Sequence, residues 1–232
     1  MSVIQQVPSL TEQVRNALLA DIASGRLEAG ARLVQEQIAA SLGVSRQPVQ
    51  QALTLLREQG IVQDAPGRGL EVAALDPMKL QQMFEMRSVI EGLACRLAAQ
   101  RLQTGAKAQK LGLALLEEGR AATRHGTLAE MIEADMRFHM FLYELSGNPL
   151  IAPSQTPNWA YIRRVMGAVL TLDDEAPAGV WDEHEAIMMA VLGGDALRAE
   201  QHMQKHIMES AGFVIDRLRK SRPATAGLPD VA

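Results

Sequence analysis

Asp135 and His139 stand four residues apart, a spacing that puts both on one face of a helix and lets them chelate one ion. His202 and His206 repeat that spacing further along the chain, and His184 sits in the run Trp181-Asp182-Glu183-His184-Glu185. Three imidazole nitrogens and a carboxylate converging in a helical core suit Zn²⁺, Ni²⁺, Mn²⁺ or Fe²⁺, with zinc the first choice, and leave room for water or a ligand's carboxylate. Singly, each of these histidines is more often a surface or hydrogen-bonded core residue than a ligand, so the argument rests on the set. A metal held this way could also activate water. Against a metal-dependent enzyme, the chain has no Ser-His-Asp order, no HExxH zinc signature and no phosphate loop, and Glu183 and Glu185 flank His184 off its helical face. A metal sensor without an organic effector is the other alternative.

A second chemistry lies nearer the start. Ser45-Arg46-Gln47 would form the first turn of a helix, with Gln50 and Gln51 following on its exposed side. Arginine at such a position can bond a guanine edge or a phosphate, and glutamine can read adenine. Arg32 is placed for a phosphate, and Arg68 in Pro66-Gly67-Arg68-Gly69 could reach the minor groove or the backbone. The expected partner is double-stranded operator DNA. Charge does not advertise it: the whole chain carries −4, and the first 76 residues hold six arginines against eight acids, a net of −2. Contact must come from a few placed arginines and not from a general basic field.

The elements that must position these residues are mostly helices. Ser9-Leu10-Thr11-Glu12 has the spacing of a capping box, followed by Val14, Leu18 and Ile22. A short helix over Glu36–Leu42 ends at Gly43, Ser45 is an N-cap, and the next helix buries Val49, Ala52, Leu53 and Leu56 before Gly60. Two short β-like runs, Ile61-Val62-Gln63 and Leu70-Glu71-Val72, flank the Gly-Arg-Gly tip. That order is a winged helix-turn-helix over residues 9–75. Asp76-Pro77 then reads as a cap and first helical residue. An all-helical bundle follows over 76–219, with helices near 77–102, 104–124, 127–146, 157–172, 178–193 and 195–219. The remainder, 220–232, reads as a disordered tail. The fold class is thus mostly α, with a β-hairpin wing.

Composition agrees. Aromatics are 3% of the 232 residues while methionines number 12, so the core is built from Leu, Ala, Ile, Val and Met, which favours helices. Cys95 is alone, which excludes an intrachain disulfide and suits a reducing cytoplasm. No apolar stretch approaches the ~20 residues a bilayer requires, and Met1-Ser2-Val3-Ile4-Gln5-Gln6 does not resemble a signal peptide. A cytoplasmic protein with no membrane partner is expected.

Residues 11–74 resemble the DNA-binding domain of the GntR family of bacterial regulators. The matching stretches are Gly30-Ala31-Arg32-Leu33, Leu42-Gly43-Val44-Ser45-Arg46-Gln47-Pro48-Val49, Ala52-Leu53, Gly60 and Pro66-Gly67-Arg68-Gly69. The resemblance implies DNA contacts from Arg32, Ser45, Arg46, Gln47, Gly67 and Arg68. Family members usually carry arginine and then an acid after the Pro-Val pair, where this chain has Gln50 and Gln51. Residues 77–219 resemble the all-helical FCD effector domain of the FadR branch of that family. The pieces are Glu85-Met86-Arg87, Ile90-Glu91, Asp135 through His139, Leu145 through Leu150, Glu183 through Ile187, Gly194-Asp195 and Gln204-Lys205-His206. By that resemblance the metal ligands are Asp135, His139, His184 and His206, with His202 a neighbour. An effector pocket of this kind needs cations and donors beside the metal, for which Arg87, Asn148, Tyr161, Arg163, Arg164 and His202 are the candidates. The implied protein is a transcription repressor, a homodimer on a palindromic operator, released or recruited by a small carboxylate metabolite.

Overall fold

The computed structural model describes residues 8–101, 105–170 and 179–221. They form two compact units, one of residues up to Leu75 with Ser154 onward of a later helix, the other of Asp76–Pro153 and the chain beyond that helix.

In the first unit, helix α1 (Leu10–Ala23) opens on the capping box: the Ser9 hydroxyl accepts from Glu12 N–H, and the Glu12 carboxylate accepts from Ser9 N–H. It buries Val14, Leu18, Leu19 and Ile22. Strand β1 (Arg32–Leu33) is two residues long, too short for any alternating pattern, and the sequence gives no sign of it. Helix α2 (Gln35–Leu42) ends at Gly43 in the left-handed region with φ 64°, where a side chain would be strained. Helix α3 (Arg46–Glu58) buries Pro48, Val49, Ala52, Leu53 and Leu56 along one face. Ser45 stands at its N-cap but its hydroxyl makes no capping bond, contrary to expectation. The physical reason is Pro48: it occupies the third helical position, whose N–H is the usual donor to such a cap, and proline has none. Strands β2 (Val62–Asp64) and β3 (Leu70–Val72) form the wing, and the antiparallel sheet runs β1-β3-β2 with Arg32 opposite Glu71 and Gln63 opposite Glu71.

The second unit begins with α4 (Pro77–Gln100), capped by the Asp76 carboxylate accepting from Met78 N–H. Helices α5 (Ala106–His125) and α6 (Leu128–Ser146) follow, α6 opening on a second capping box, Thr127 with Glu130. Helix α7 (Ile151–Leu170) belongs from Ser154 onward to the first unit. It starts six residues earlier than the predicted 157. Asn148 initiates it by accepting from Leu150 N–H, Pro153 falls harmlessly in the first turn, and Pro157 is carried inside the helix. Helices α8 (Val180–Leu192) and α9 (Ala196–Ser221) complete the second unit, where α4 packs on α9 and α6, and α8 on α9 and α5. Helix α9 buries Ala199, Met203, Ile207, Ala211, Val214, Ile215 and Leu218 at helical spacing. It runs to Ser221, so the tail expected from 220 is helical for two residues, and its remainder lies outside the described residues. Glycine lets α5 approach closely: Gly112 faces the Met188 sulfur and Gly119 lies under the Trp181 indole.

Candidate metal centre and nucleic-acid face

Helix α6 presents Asp135 and, one turn on, His139; α8 presents His184 and α9 His206. One ligand atom from each of the four lies within 4.8 Å of all the others. The two Nε2 atoms of His184 and His206 are 3.1 Å apart, and Asp135 Oδ1 is 3.6 Å from His184 Nε2 and 3.8 Å from His139 Nε2. The imidazoles are buried and only the Asp135 carboxylate is partly open to solvent. Two like nitrogens aimed at each other in a buried site need either a shared proton or a cation between them, and a carboxylate and a third imidazole at the same point favour the cation. Burial, reinforced by His206, His139 and Arg87, holds the His184 imidazole well below its usual pKa, so it is neutral and competent to ligate at pH 7. The donor set fits a divalent transition ion, with Asp135, His139, His184 and His206 as its holders. His202 is exposed on α9 and is not part of the cluster.

The helices bearing these ligands are tied together. Arg120 on α5 donates to Glu185 at 2.6 Å and to Asp182 at 3.3 Å on α8. The Trp181 ring stands 4.6 Å from that of His184 and the Phe138 ring 4.2 Å from it. Behind the cluster, Glu91 on α4 is fully buried. Its Oε2 lies 2.5 Å from His139 Nδ1, and its Oε1 accepts from Arg87 Nε at 2.7 Å. Burial alone would raise the Glu91 carboxyl, but Arg87 and His139 outweigh it and hold it below the ordinary carboxylate range. On the far side, Glu183 Oε2 is 2.7 Å from His206 Nδ1. Sequence reasoning gives neither glutamate this role. The only signal is Glu91 lying one turn after Arg87.

The other effector candidates are distributed. The Arg87 Nε is engaged by its own helix's Glu91. Asn148 starts α7. Tyr161 is buried and Arg163 half-buried on α7, in the first unit. Arg164 is buried there too, donating to the carbonyls of Ile61, at 3.5 Å, and Ala73, and burial lowers its pKa. In that unit α7 also passes so close to the end of α1 that a Cβ on Gly167 would lie 2.5 Å from the Ala23 carbonyl oxygen.

The candidate nucleic-acid face lies on α3 and the wing. Ser45, Arg46, Gln47 and Gln50 are all exposed, opposite the buried Val49, Leu53 and Leu56. Gly67 and Arg68 lie at the exposed wing tip, Gly67 with φ 92°. A groove between them is lined by Arg32, Glu36, Arg46 and Arg68. Two of these cations are already engaged. Arg32 donates to the Pro66 carbonyl at 2.8 Å and to that of Arg68, pinning the wing tip, while Arg46 pairs with Glu36 at 2.9 Å. Gln51 turns back to accept from the Thr11 hydroxyl at 2.8 Å.

A helix-turn-helix with a wing, joined to a helical unit with a ligand cluster, is the architecture of a transcription regulator that reads DNA with one part and senses with the other. Residues 10–72 match the family of bacterial regulatory proteins named gntR, and residues 82–209 match the FCD domain. An uncharacterized HTH-type transcriptional regulator in an unstable DNA locus of Streptomyces ambofaciens is 30% identical over 198 residues, covering 85% of this chain and 81% of its own. A probable D-xylose utilization operon transcriptional repressor of Paenarthrobacter nicotinovorans is 26% identical over 202 residues, 86% of each chain. The solved structure of E. coli McbR/YncC superposes with a TM-score of 0.75 at 23% identity, covering 90% of this chain and 99% of that one, which shows the same fold. The chain is a DNA-binding transcription regulator. It belongs to the gntR family of bacterial regulatory proteins and carries an FCD domain. Family and relatives alike are transcription regulators, which decides against the metal-dependent enzyme. No helix among the described residues is long and apolar enough to cross a membrane.

Proposed function

We propose that this protein is a metabolite-responsive repressor. It binds a palindromic operator as a homodimer in the cytoplasm, and a small carboxylate bound at a metal centre in its helical unit controls that binding. The observation that carries the reading is the convergence of Asp135, His139, His184 and His206 on one point inside the helical unit. A divalent ion there supplies a Lewis-acid position that a carboxylate can occupy alongside four protein ligands. The chain's own residues do the rest. Asp135 and the three imidazoles fix the point of attachment, and Trp181 and Phe138 exclude water from the His184 side. On the nucleic-acid side, Arg46, Gln47 and Gln50 face the base edges and Arg32, Gly67 and Arg68 follow the backbone. Regulation requires that the carboxylate bind the DNA-competent and incompetent arrangements with different affinity. Repression is supported by the similarity to the Paenarthrobacter protein, a probable repressor.

The test is metal analysis of the purified protein, followed by a thermal-shift screen of carboxylic acids with and without added Zn²⁺. Stabilisation by an acid should require the metal, vanish in His139→Ala, and accompany a change in operator affinity measured by fluorescence anisotropy. If metal alone changes operator affinity and no acid adds to it, the sensor without an organic effector replaces this reading.

A further inference from the structure

The three imidazoles of the cluster differ in what stands behind them. His139 Nδ1 meets the fully buried Glu91 carboxylate at 2.5 Å, and His206 Nδ1 meets Glu183, which is 42% exposed, at 2.7 Å. His184 Nδ1 is buried with no hydrogen-bond partner among the described residues. Nε2 can serve as a ligand only when the proton sits on Nδ1, so whatever faces Nδ1 decides which tautomer the ring adopts. An ionised carboxylate accepts and cannot donate, which forces the Nδ1–H form. Water can replace an exposed glutamate in that role, but not a fully buried one.

We propose that Glu91 is the positioning residue of the centre, locking His139 in the tautomer whose Nε2 faces the other ligands, and that Arg87 serves this carboxylate and not the effector's. Arg87 has only donors and its Nε takes Glu91 Oε1, while Oε2 meets His139 and the buried Tyr143 hydroxyl also bonds this carboxylate. That division makes an isosteric substitution informative. In Glu91→Gln the single amide oxygen is claimed by Arg87, so the amide NH₂ turns toward His139. His139 Nδ1 must then accept, its proton moves to Nε2, and the ligand atom is blocked. Removing the claim on the oxygen reverses this: with Arg87→Met beside Glu91→Gln, the amide is free to offer its oxygen to His139 again.

The proposal rests on the metal reading above, and its test separates the two. Nitrogen-15 NMR of the imidazoles in the metal-free protein reads the tautomer directly, and Zn²⁺ titration reads the affinity. In the wild type His139 should carry its proton on Nδ1. In Glu91→Gln it should carry it on Nε2, and Zn²⁺ affinity should fall by about 10–100-fold. The double variant should restore the Nδ1–H tautomer and recover most of the affinity, and Glu183→Gln should lose less than Glu91→Gln. An unchanged His139 tautomer in Glu91→Gln overturns the proposal, as does a double variant with no recovery. Should Glu91→Gln fail to fold because Arg87 is left as a lone buried charge, two charge-free pairs make the same comparison. Arg87→Met with Glu91→Gln should then bind Zn²⁺ more tightly than Arg87→Met with Glu91→Leu, and equal affinities overturn the proposal. If the wild type binds no Zn²⁺, the metal reading fails, while the metal-free tautomers still decide whether Glu91 holds His139.

Discussion

Replacing Gly119 by alanine sets two effects of known size against each other. Glycine inside a helix costs roughly 1 kcal/mol relative to alanine, so on propensity alone Gly119→Ala would stabilise α5. A Cβ at that position, however, would lie 1.9 Å from the six-membered ring of Trp181. Ordinary carbon–carbon contact is about 3.5–4.0 Å, so the indole must retreat by about 1.5–2 Å. It is rigid and already neighboured by the rings of Phe138 and His184, at 6.2 and 4.6 Å between centroids. Overpacking a filled core costs about 1–3 kcal/mol, and a displacement of this size against a rigid ring falls at the upper end. The net expectation is a destabilisation of about 1–2 kcal/mol, or a melting temperature lower by roughly 3–8 °C. Because His184 lies against the same ring, Zn²⁺ affinity should fall as well. Urea denaturation followed by tryptophan fluorescence measures the first, and Zn²⁺ titration the second. Gly212 on α9 is the control: its Cβ would meet nothing within 4 Å, so Gly212→Ala should stabilise by up to about 1 kcal/mol. A Gly119→Ala protein more stable than wild type would refute the reasoning, because propensity would then have outweighed the contact.

Three further outcomes are expected. Arg164→Met removes the buried donors to the Ile61 and Ala73 carbonyls and should cost about 1.5–3 kcal/mol in the denaturation midpoint, and a midpoint that does not move would sink the role given to that side chain. Glu12 and Glu130 accept from the backbone and hydroxyl of Ser9 and Thr127, which holds both carboxyls below the ordinary carboxylate value. Their capping contribution is therefore complete above that value and fades as pH falls through the lowered one; carbon-13 titration should show depressed midpoints, with Glu130 returning to normal in Thr127→Ala. Operator binding should show a shallow dependence of log affinity on log salt, because the slope counts phosphate contacts and the N-terminal 76 residues offer only six arginines and no lysine, and Arg68→Ala should reduce the slope by about one. A slope as steep as that of a basic relative, measured in parallel, would contradict the count of contacts.

What the sequence made legible is what local spacing controls. The capping box at Ser9 and Glu12, the apolar face of α3 and the Asp76-Pro77 start of α4 are short-range signals, and each is met by the expected backbone. So is the Asp135–His139 pair, one turn apart on α6. His184 and His206 are joined to them only by the packing of α8 and α9, which no spacing encodes, and resemblance to a family supplied them. The misses have equally local causes. A two-residue β1 has no period to detect. Pro157 reads as a helix start until Asn148 is seen opening α7 upstream. Ser45 reads as a cap until the proline three residues later is counted as a missing donor. For Arg87 the sequence shows a cation, and the structure adds that the carboxylate one turn along its own helix bonds its Nε.

That last point changes what an effector would have to bring. Around the proposed ion stand three carboxylates, Asp135, Glu91 and Glu183, and one guanidinium, Arg87. With a divalent ion bound, these charges balance, so no surplus positive field remains to draw an anion in. A carboxylate would then be held chiefly by direct coordination, a short-range and orientation-dependent interaction, and acids able to present two oxygens to one ion would be favoured over those that merely carry more charge. The DNA face has the same character. Arg46 arrives paired with Glu36, and Arg32 also donates to the wing-tip carbonyls. Both candidate sites therefore depend on placed groups and not on net charge, as expected of a chain whose overall balance is −4 and whose proposed partners are both anionic.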